Sequence, residues 1–297
     1  MSIAAEAALL AFGGAWHASL TAKVQCRPGE KSQLVECLHH GPLRLQKALW
    51  PEGDHPVHLL LLHPPGGIAA GDYLSIDFTV EADSHALVTT PGAGKWYRGS
   101  RDGHEITAKQ ELTLTVGANA SLEWFPQEVI VHDGALAQSD VQINLNDASS
   151  MIGSELLVLG RKAYGEQFAS GLFAQHLQLR RGGRLLWSDS SRVEPGLISL
   201  SSVLNNFHCT GVLWASAPPK AMAALGEAIE EQLETLGTAQ LGTHGVCGVS
   251  RIHPELLLMR VAASHPEKAR AALSVCWQSL RPALLKRDAH LPRIWRT

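Results

Sequence analysis

The sequence contains few cysteines, and they follow no recognisable spacing. Its five cysteines are widely separated, and no two of them form a Cys-x-x-Cys pair. An odd, scattered set of this kind favours reduced thiols in the core over a disulfide framework. The cysteines therefore indicate a protein of a reducing compartment.

Long apolar runs and an excess of one charge are also absent. No run approaches the roughly 20 residues needed to cross a bilayer, and the apolar segment Ala4–Phe12 contains Glu6 and lacks a basic leader, which makes it a poor signal peptide. The net charge of −3 provides no general attraction to nucleic acid or to an anionic membrane. We therefore expect a cytoplasmic protein that binds neither nucleic acid nor membrane.

Common catalytic motifs are missing too. The segment from Pro91 to Lys95 resembles a phosphate-binding loop, but Thr89 and Trp96 stand where that loop requires Gly and Ser or Thr. The chain has neither a Gly-x-Ser-x-Gly nucleophile elbow nor a His-Glu-x-x-His zinc helix. Its fifteen histidines include no pair at a compact ligand spacing. We therefore expect no catalytic activity and no tightly bound cofactor.

What the chain does contain is alternation of apolar and polar residues, which predicts a mainly β protein. At 45% hydrophobic content it can bury a large core. Three times, a strand, a small polar turn and a more apolar strand follow one another, a pattern typical of a layered or helical β architecture. We predict a β-rich body over residues 1–215 with strands at Leu59–Leu62, Leu74–Val80, His85–Thr90, Ile106–Val116, Ser121–Phe125, Val141–Leu145 and His176–Leu179.

The last part of the chain, residues 216–297, predicts a small α+β region with about two helices, packed on the body as one compact unit. A first helix follows Pro218-Pro219 and ends at Gly237. Strands follow at Val246–Ile252 and Leu256–Ala262. A capping box from Ser264 to Glu267 opens a second helix, and the tail Ala289–Thr297 is predicted to be an ordered arm.

The stretch from His63 to Arg98 is the most informative part of the sequence. A buried strand, Leu59–Leu62, leads into His63-Pro64-Pro65-Gly66-Gly67, and the isolated carboxylate Asp72 follows. Proline ends the strand, and paired glycines permit unusual backbone angles. From this pattern alone, a functional site and a purely structural turn both remain open.

This stretch strongly resembles the urease accessory protein family UreD, called UreH in some bacteria. The similarity continues in family order along nearly the whole chain. The segments that carry it are His63–Gly67, Gly71-Asp72, Thr89–Ala93, Lys95–Arg98, Gly41–Gln46, Leu122–Glu128, Leu159–Arg161 with Gly165-Glu166, Trp277, Leu280–Pro282 and Pro292–Trp295.

The resemblance implies a mostly β maturation chaperone rather than an enzyme. Proteins of this family bind the urease apoprotein and the accessory protein UreF, which recruits the GTPase UreG, in assemblies with two copies of each accessory protein. Together they deliver Ni²⁺ to urease, and an internal passage has been proposed as the nickel route. For this chain it implies UreF-like and UreG-like partners, urease structural subunits, a 2:2 or larger hetero-oligomer and transient Ni²⁺.

Matching motifs also imply candidate nickel-passage residues. Asp72 is the first, followed by Glu155 and Glu166, then Asp189 and His63. We expect Asp72→Ala to lower urease activation while complexes still form. The structural alternatives are open at each position: Asp72 would cap its own turn, and Glu155 and Glu166 would each pair with an arginine such as Arg161.

Two other functions remain open at this point. A protein-binding scaffold without an ion route would have a dry, solid interior around Asp72 and Glu155. An enzyme acting on a small substrate at the Gly-rich turn would need a compact pocket with a perturbed acid–base pair, and the sequence provides no such pair.

Overall fold

In the computed structural model, which describes residues 15–200 and 204–296, two β-sheets and one layer of helices stack on each other. The first sheet has seven strands. Their spatial order is β16 (Arg184–Val193), β15 (Leu172–Arg181), β13 (Leu136–Leu145), β10 (Ala108–Val116), β5 (Tyr73–Val80), β1 (His17–Gln25) and β2 (Gln33–His40).

The second sheet has ten strands. Eight of them follow the order β18 (Gly245–His253), β19 (Leu256–Ala263), β17 (Cys209–Ser216), β14 (Ser150–Leu159), β11 (Ser121–Phe125), β6 (His85–Thr89), β4 (Val57–Leu62) and β3 (Arg44–Leu45). The other two are β12 (Val129–Val131), which pairs with β14, and β7 (Gly94–Trp96), which pairs with β12. A separate hairpin consists of β8 (Ser100–Arg101) and β9 (His104–Glu105).

The chain passes from one sheet to the other through short polar turns. From β4 to β15 its main strands alternate between the sheets, and neighbours within each sheet run parallel. The turns stack as well: Asp83 and Asn119 both have positive φ, and Asn119 Nδ2 donates to Asp83 Oδ1 at 3.1 Å. The predicted mainly β fold with a layered or helical architecture is confirmed, and the recurring strand–turn–strand pattern corresponds to the passage of the chain between the two sheets.

The strand predictions are confirmed in place, although several strands are longer than predicted, for example Leu136–Leu145 where the sequence predicted only Val141–Leu145. Apolar residues of both sheets meet in one core, with Phe78, Leu114 and Trp214 each at most 1% exposed. A second core lies between the ten-stranded sheet and the helices.

Four α-helices lie within the described residues: α1 (Pro195–Ile198), α2 (Pro219–Ala223), α3 (Ile229–Leu241) and α4 (Pro266–Leu285). Three short 3-10 segments are Lys162–Tyr164, Gly242–His244 and Arg293–Arg296. The helix predicted to run from Pro219 to Gly237 is in fact two helices, α2 and α3. The break follows from Gly226, whose φ of 82° is left-handed.

Two details of the helix predictions are wrong. Gly237 does not end a helix but lies inside α3, where a Cβ would stand 2.6 Å from the Met259 side chain. The predicted capping box is also absent, because α4 begins at Pro266 with His265 as the N-cap residue and no side-chain cap bond. Proline favours the first helical position because its φ is fixed. The helix therefore starts at Pro266, one residue later than a capping box at Ser264 would place it.

The C-terminal arm follows its prediction over the described residues. Leu291 and Trp295 pack against the second core, and Trp295 Nε1 donates to Thr89 Oγ1 at 2.8 Å. Ala4–Phe12 and Thr297 lie outside the described residues. The division between 215 and 216 stays a prediction, and β17, which spans it, lies between β14 and β19 in one continuous sheet. Among the residues that the structure describes, no helix is long and apolar enough to cross a membrane.

Candidate functional site

A cavity of about 990 Å³ lies between the two sheets. Side chains of β5, β10, β13, β15 and β16 line one wall, and side chains of β4, β11, β14, β17 and β19 line the other. In the ten-stranded sheet the lining extends from β19 to β4, which is five strand spacings or roughly 24 Å. The cavity is therefore elongated across the strands.

Glu155 lies on the wall of this cavity in the middle of β14. Its Oε2 accepts a hydrogen bond from Gln175 Nε2 of the opposite sheet at 2.7 Å. Burial raises the pKa of Glu155 to about 7, the hydrogen bond from Gln175 opposes this rise, and the negative charge of Asp189 adds to it. Near neutral pH this carboxyl group can therefore both hold and release a proton.

Asp189 also lines the cavity, from the seven-stranded sheet. Its Oδ2 accepts a hydrogen bond from Arg260 Nη2 at 2.8 Å. Arg260 belongs to β19 of the other sheet, so this ion pair connects the two walls. The side chains of Asp189 and Arg260 are 31% and 61% exposed, which places the pair where the cavity meets solvent.

His63 lines the cavity just after β4, at the opposite side from Arg260. Burial lowers the pKa of His63, although the charge of Asp72 acts in the other direction. Its buried Nε2 has no hydrogen-bond partner among the described residues. A neutral imidazole with a free nitrogen can accept a hydrogen bond or bind a metal ion.

Asp72 has a different environment from these three residues. It is 1% exposed, and it is not among the described residues that line the cavity. Its Oδ1 accepts from the backbone N–H of Trp16 and its Oδ2 from that of Ala69, both at 2.8 Å. The carboxylate therefore holds its own turn and the start of β1, as the structural alternative predicts.

Glu166 also lies apart from the cavity lining of the described chain. Its Oε2 accepts from Arg161 Nη2 at 2.5 Å, and its Oε1 accepts from the backbone N–H of Asp133 at 3.2 Å. The hydrogen bond from Arg161 lowers the pKa of Glu166 against the effect of burial. The structure thus brings together Glu155, Asp189 and His63 along one cavity, whereas Asp72 and Glu166 lie elsewhere.

The Gly-rich turn forms one end of this cavity because of close backbone packing. Ile68 N donates to Lys95 O and Tyr97 N donates to Ile68 O, each at 2.8 Å. A Cβ at Gly67 would stand 2.5 Å from the Tyr97 ring. The Gly-Gly and Lys-Trp-Tyr motifs are therefore two sides of one packed corner.

Sequence reasoning missed Arg260 and Gln175, which contact the two cavity carboxylates. Arg260 left a signal, since it is the one charged residue in the apolar strand Leu256–Ala263. Gln175 left none, because a glutamine in an alternating strand looks the same whether it faces solvent or a cavity. Within the described part of the chain, no three His, Cys, Asp or Glu side chains group closely enough to hold a metal ion.

The fold and the cavity together define a layered β protein with a cavity between its two sheets, lined by the carboxyl groups of Glu155 and Asp189. Comparison with known proteins gives the family. The family model described as UreD urease accessory protein matches residues 17–296. A Dechloromonas aromatica protein named urease accessory protein UreD is 42% identical over 285 residues, which cover 95% of each chain.

Two other relatives carry the same name. The protein from Ralstonia nicotianae is 38% identical over 95% of this chain and 94% of its own length. The protein from Pseudomonas aeruginosa is 38% identical over 97% of this chain and 98% of its own length. The chain belongs to the UreD family of urease accessory proteins, and this membership supports a role in urease maturation.

Proposed function

We propose that this chain is a non-enzymatic chaperone of urease maturation and that Ni²⁺ passes through the cavity between its sheets towards the urease active site. The observation that carries the proposal is the elongated cavity with Glu155, Asp189 and His63 on its walls. Family membership supports the maturation role, and the cavity supports the route.

The chemistry of these side chains suits a passing cation. Carboxylate oxygen and imidazole nitrogen both bind Ni²⁺. The three groups are spread along the cavity, and Asp189 is already paired with Arg260. An ion that must enter and leave again has to bind weakly at several positions, and this arrangement provides such positions.

The proposal includes partners that follow from family membership. They are a UreF-like protein, a UreG-like GTPase and the urease structural subunits, in a cytoplasmic hetero-oligomer of 2:2 or larger composition. The chain would bind neither nucleic acid nor membrane. Ni²⁺ is the cargo in this proposal and no cofactor remains bound.

The test is co-expression of urease subunits and their accessory proteins with variants of this chain. We expect Glu155→Gln to lower nickel content and urea hydrolysis per urease several-fold, while pull-down shows that the complex still forms. Glu111→Gln is the matched control. Glu111 lies in β10 between two residues that line the cavity, but its own side chain is exposed outside it, so we expect normal loading.

Two other results would change the assignment. If nickel loading requires the chain but is normal with Glu155→Gln, the chain is a protein-binding scaffold without an ion route at this residue. That Asp72 and Glu166 also bind passing Ni²⁺ is still a prediction, and the Asp72→Ala variant tests part of it. Normal activation by Asp72→Ala in an intact complex would remove Asp72 from the pathway.

A further inference from the structure

Among the residues that the structure describes, one ion pair connects the two sheets beside β19, where the cavity meets solvent. Asp189 belongs to β16, the edge strand of the seven-stranded sheet, and Arg260 belongs to β19 of the ten-stranded sheet. The 2.8 Å contact between Arg260 Nη2 and Asp189 Oδ2 therefore connects opposite walls. The side chains of Asp189 and Arg260 are 31% and 61% exposed, so the pair lies at the solvent end of the cavity on this side.

Arg260 also shares a row with Glu155 across the ten-stranded sheet. Glu155 is in register with Val212, and Val212 is in register with Arg260. Side chains in register on adjacent strands point to the same face, and two strand spacings separate their backbones by roughly 10 Å. Arg260 therefore shares a wall of the cavity with Glu155 and lies two strands nearer to the β18 edge of the sheet.

The other cationic side chains on the cavity wall have different partners. Arg192 donates to Glu194 at 2.5 Å, and Lys95 Nζ lies 3.5 Å from Gly66 O at the far end. Arg260 is therefore the cation that faces Asp189. Because its side chain is 61% exposed, the pair is of the weak, exchangeable kind found at protein surfaces.

We propose that Arg260 is the electrostatic gate of the cavity: its guanidinium occupies Asp189 in the resting chain, and an entering divalent cation must displace it. This inference rests on the proposed role of the cavity as a cation route. Arg260 repels cations at the opening and keeps Asp189 from holding one permanently. When the Arg260 side chain moves into solvent, the cation can bind first to Asp189 and then to Glu155.

The test measures how the charge of a small reagent affects its rate of entry into the cavity. Ser139, which lines the cavity from β13 and is 4% exposed, is replaced by cysteine in the full chain. Methanethiosulfonate reagents with a trimethylammonium, a hydroxyl or a sulfonate group then react with the new thiol, and peptide mass spectrometry reports modification at position 139 separately from the native cysteines. The neutral reagent corrects for any change in the size of the opening.

We expect Arg260→Gln to raise the rate with the cationic reagent roughly fivefold relative to the neutral one, the effect of one unit charge at ~4 Å in water. The anionic reagent should slow relative to the neutral one, and Arg260→Lys should retain the original ratios. Arg184→Gln is the matched control. It removes the same charge from a 57% exposed side chain that pairs with Asp147 and Glu255 and is not among the lining residues.

Three results would overturn the gate. Equal acceleration of all three reagents would make Arg260 a steric barrier, and unchanged rates of all three would show that entry does not pass Arg260. Both leave the cation route itself intact. If the cysteine at position 139 reacts with none of the reagents in either background, the cavity is closed to water, and the route and the gate fail together.

Discussion

Glu155 is an acid held between two sheets, and its protonation is coupled to the stability of the fold. Its pKa is raised to about 7 from an ordinary value of 4.5, chiefly by burial. When an acid has a higher pKa in the folded than in the unfolded chain, folding is penalised as the pH rises above the unfolded value. The penalty is complete once the pH exceeds the folded value.

We expect the free energy of unfolding of Glu155→Gln, relative to that of the wild type, to increase by roughly 2 kcal/mol as the pH rises from 5 to 8. The measurement is the free energy of unfolding in urea at both pH values. Glu166→Gln is the control, because the pKa of Glu166 is lowered and the group is ionised in both states over most of this range. Equal shifts for the two variants would show that Glu155 is not the titrating group.

The residue scale also shows why the site was only partly predictable. An aspartate in a Gly-rich turn has the same sequence pattern whether it faces a cavity or accepts hydrogen bonds from nearby backbone N–H groups, as Asp72 does from Trp16 and Ala69. The roles of Glu155 and Asp189 depend on contacts with Gln175 and Arg260 in the opposite sheet. Such contacts between distant strands are not encoded in local spacing.

At the scale of elements, α4 is attached to the ten-stranded sheet by a buried ion cluster of Arg281, Glu123 and Glu52. Arg281 is 0% exposed and donates to Glu123 Oε2 at 2.9 Å and to Glu52 Oε2 at 2.7 Å. Glu123 also accepts from Trp277 Nε1 at 2.7 Å. Two motifs of the family resemblance, Leu122–Glu128 and Leu280–Pro282, thus meet in one cluster.

Burial would raise the pKa of Glu52, but hydrogen bonds from His58 and Arg281 lower it to about 2. Burial acts in the same way on Glu123, yet His85 and Arg281 keep its pKa below the ordinary value. Both shifts stabilise the fold above the unfolded pKa of about 4.5. This stabilisation is lost as the pH falls towards the folded values.

We expect Arg281→Met to destabilise the chain by roughly 3–5 kcal/mol at pH 7.5, because it leaves two buried carboxylates without their cation. The loss should be smaller at pH 5, where these carboxylates, no longer paired with Arg281, can bind protons. Urea unfolding at the two pH values measures both. Arg192→Gln, which removes an exposed pair with Glu194, should change stability by less than about 1 kcal/mol. A similarly small effect of Arg281→Met would contradict the role of the cluster.

Element positions were easier to predict than element ends. Alternation located strands such as β5, in which every second residue is buried in the core between the sheets. Leu59–Leu62 was located instead by its uninterrupted apolar run, because the ten-stranded sheet is covered on both faces. The split between α2 and α3 escaped, since the apolar spacing continues through Gly226 and only its φ of 82° breaks the helix. The sequence also did not predict which strands pair with each other, because parallel strands that are joined by long connections leave no local pattern.

On the scale of the whole molecule, residues on both sides of position 215 build the same sheet and the same core. Trp214 packs on Trp187 with ring centroids 6.2 Å apart, and Leu258 of β19 belongs to the core between the sheets. Ser216 Oγ accepts from Arg181 Nη2 at 2.8 Å and donates to Glu255 O at 2.8 Å. The C-terminal region therefore completes the body.

We expect the chain to unfold in one calorimetric transition, with the calorimetric and van't Hoff enthalpies equal, because neither core is complete without residues from both regions. A fragment of residues 1–215 would lack β18, β19 and α4, expose the apolar face of the ten-stranded sheet and show no cooperative transition. Two separate transitions in the full chain, or cooperative unfolding of the fragment, would show instead that the β-rich body is an independent domain and that the C-terminal region is an addition to it.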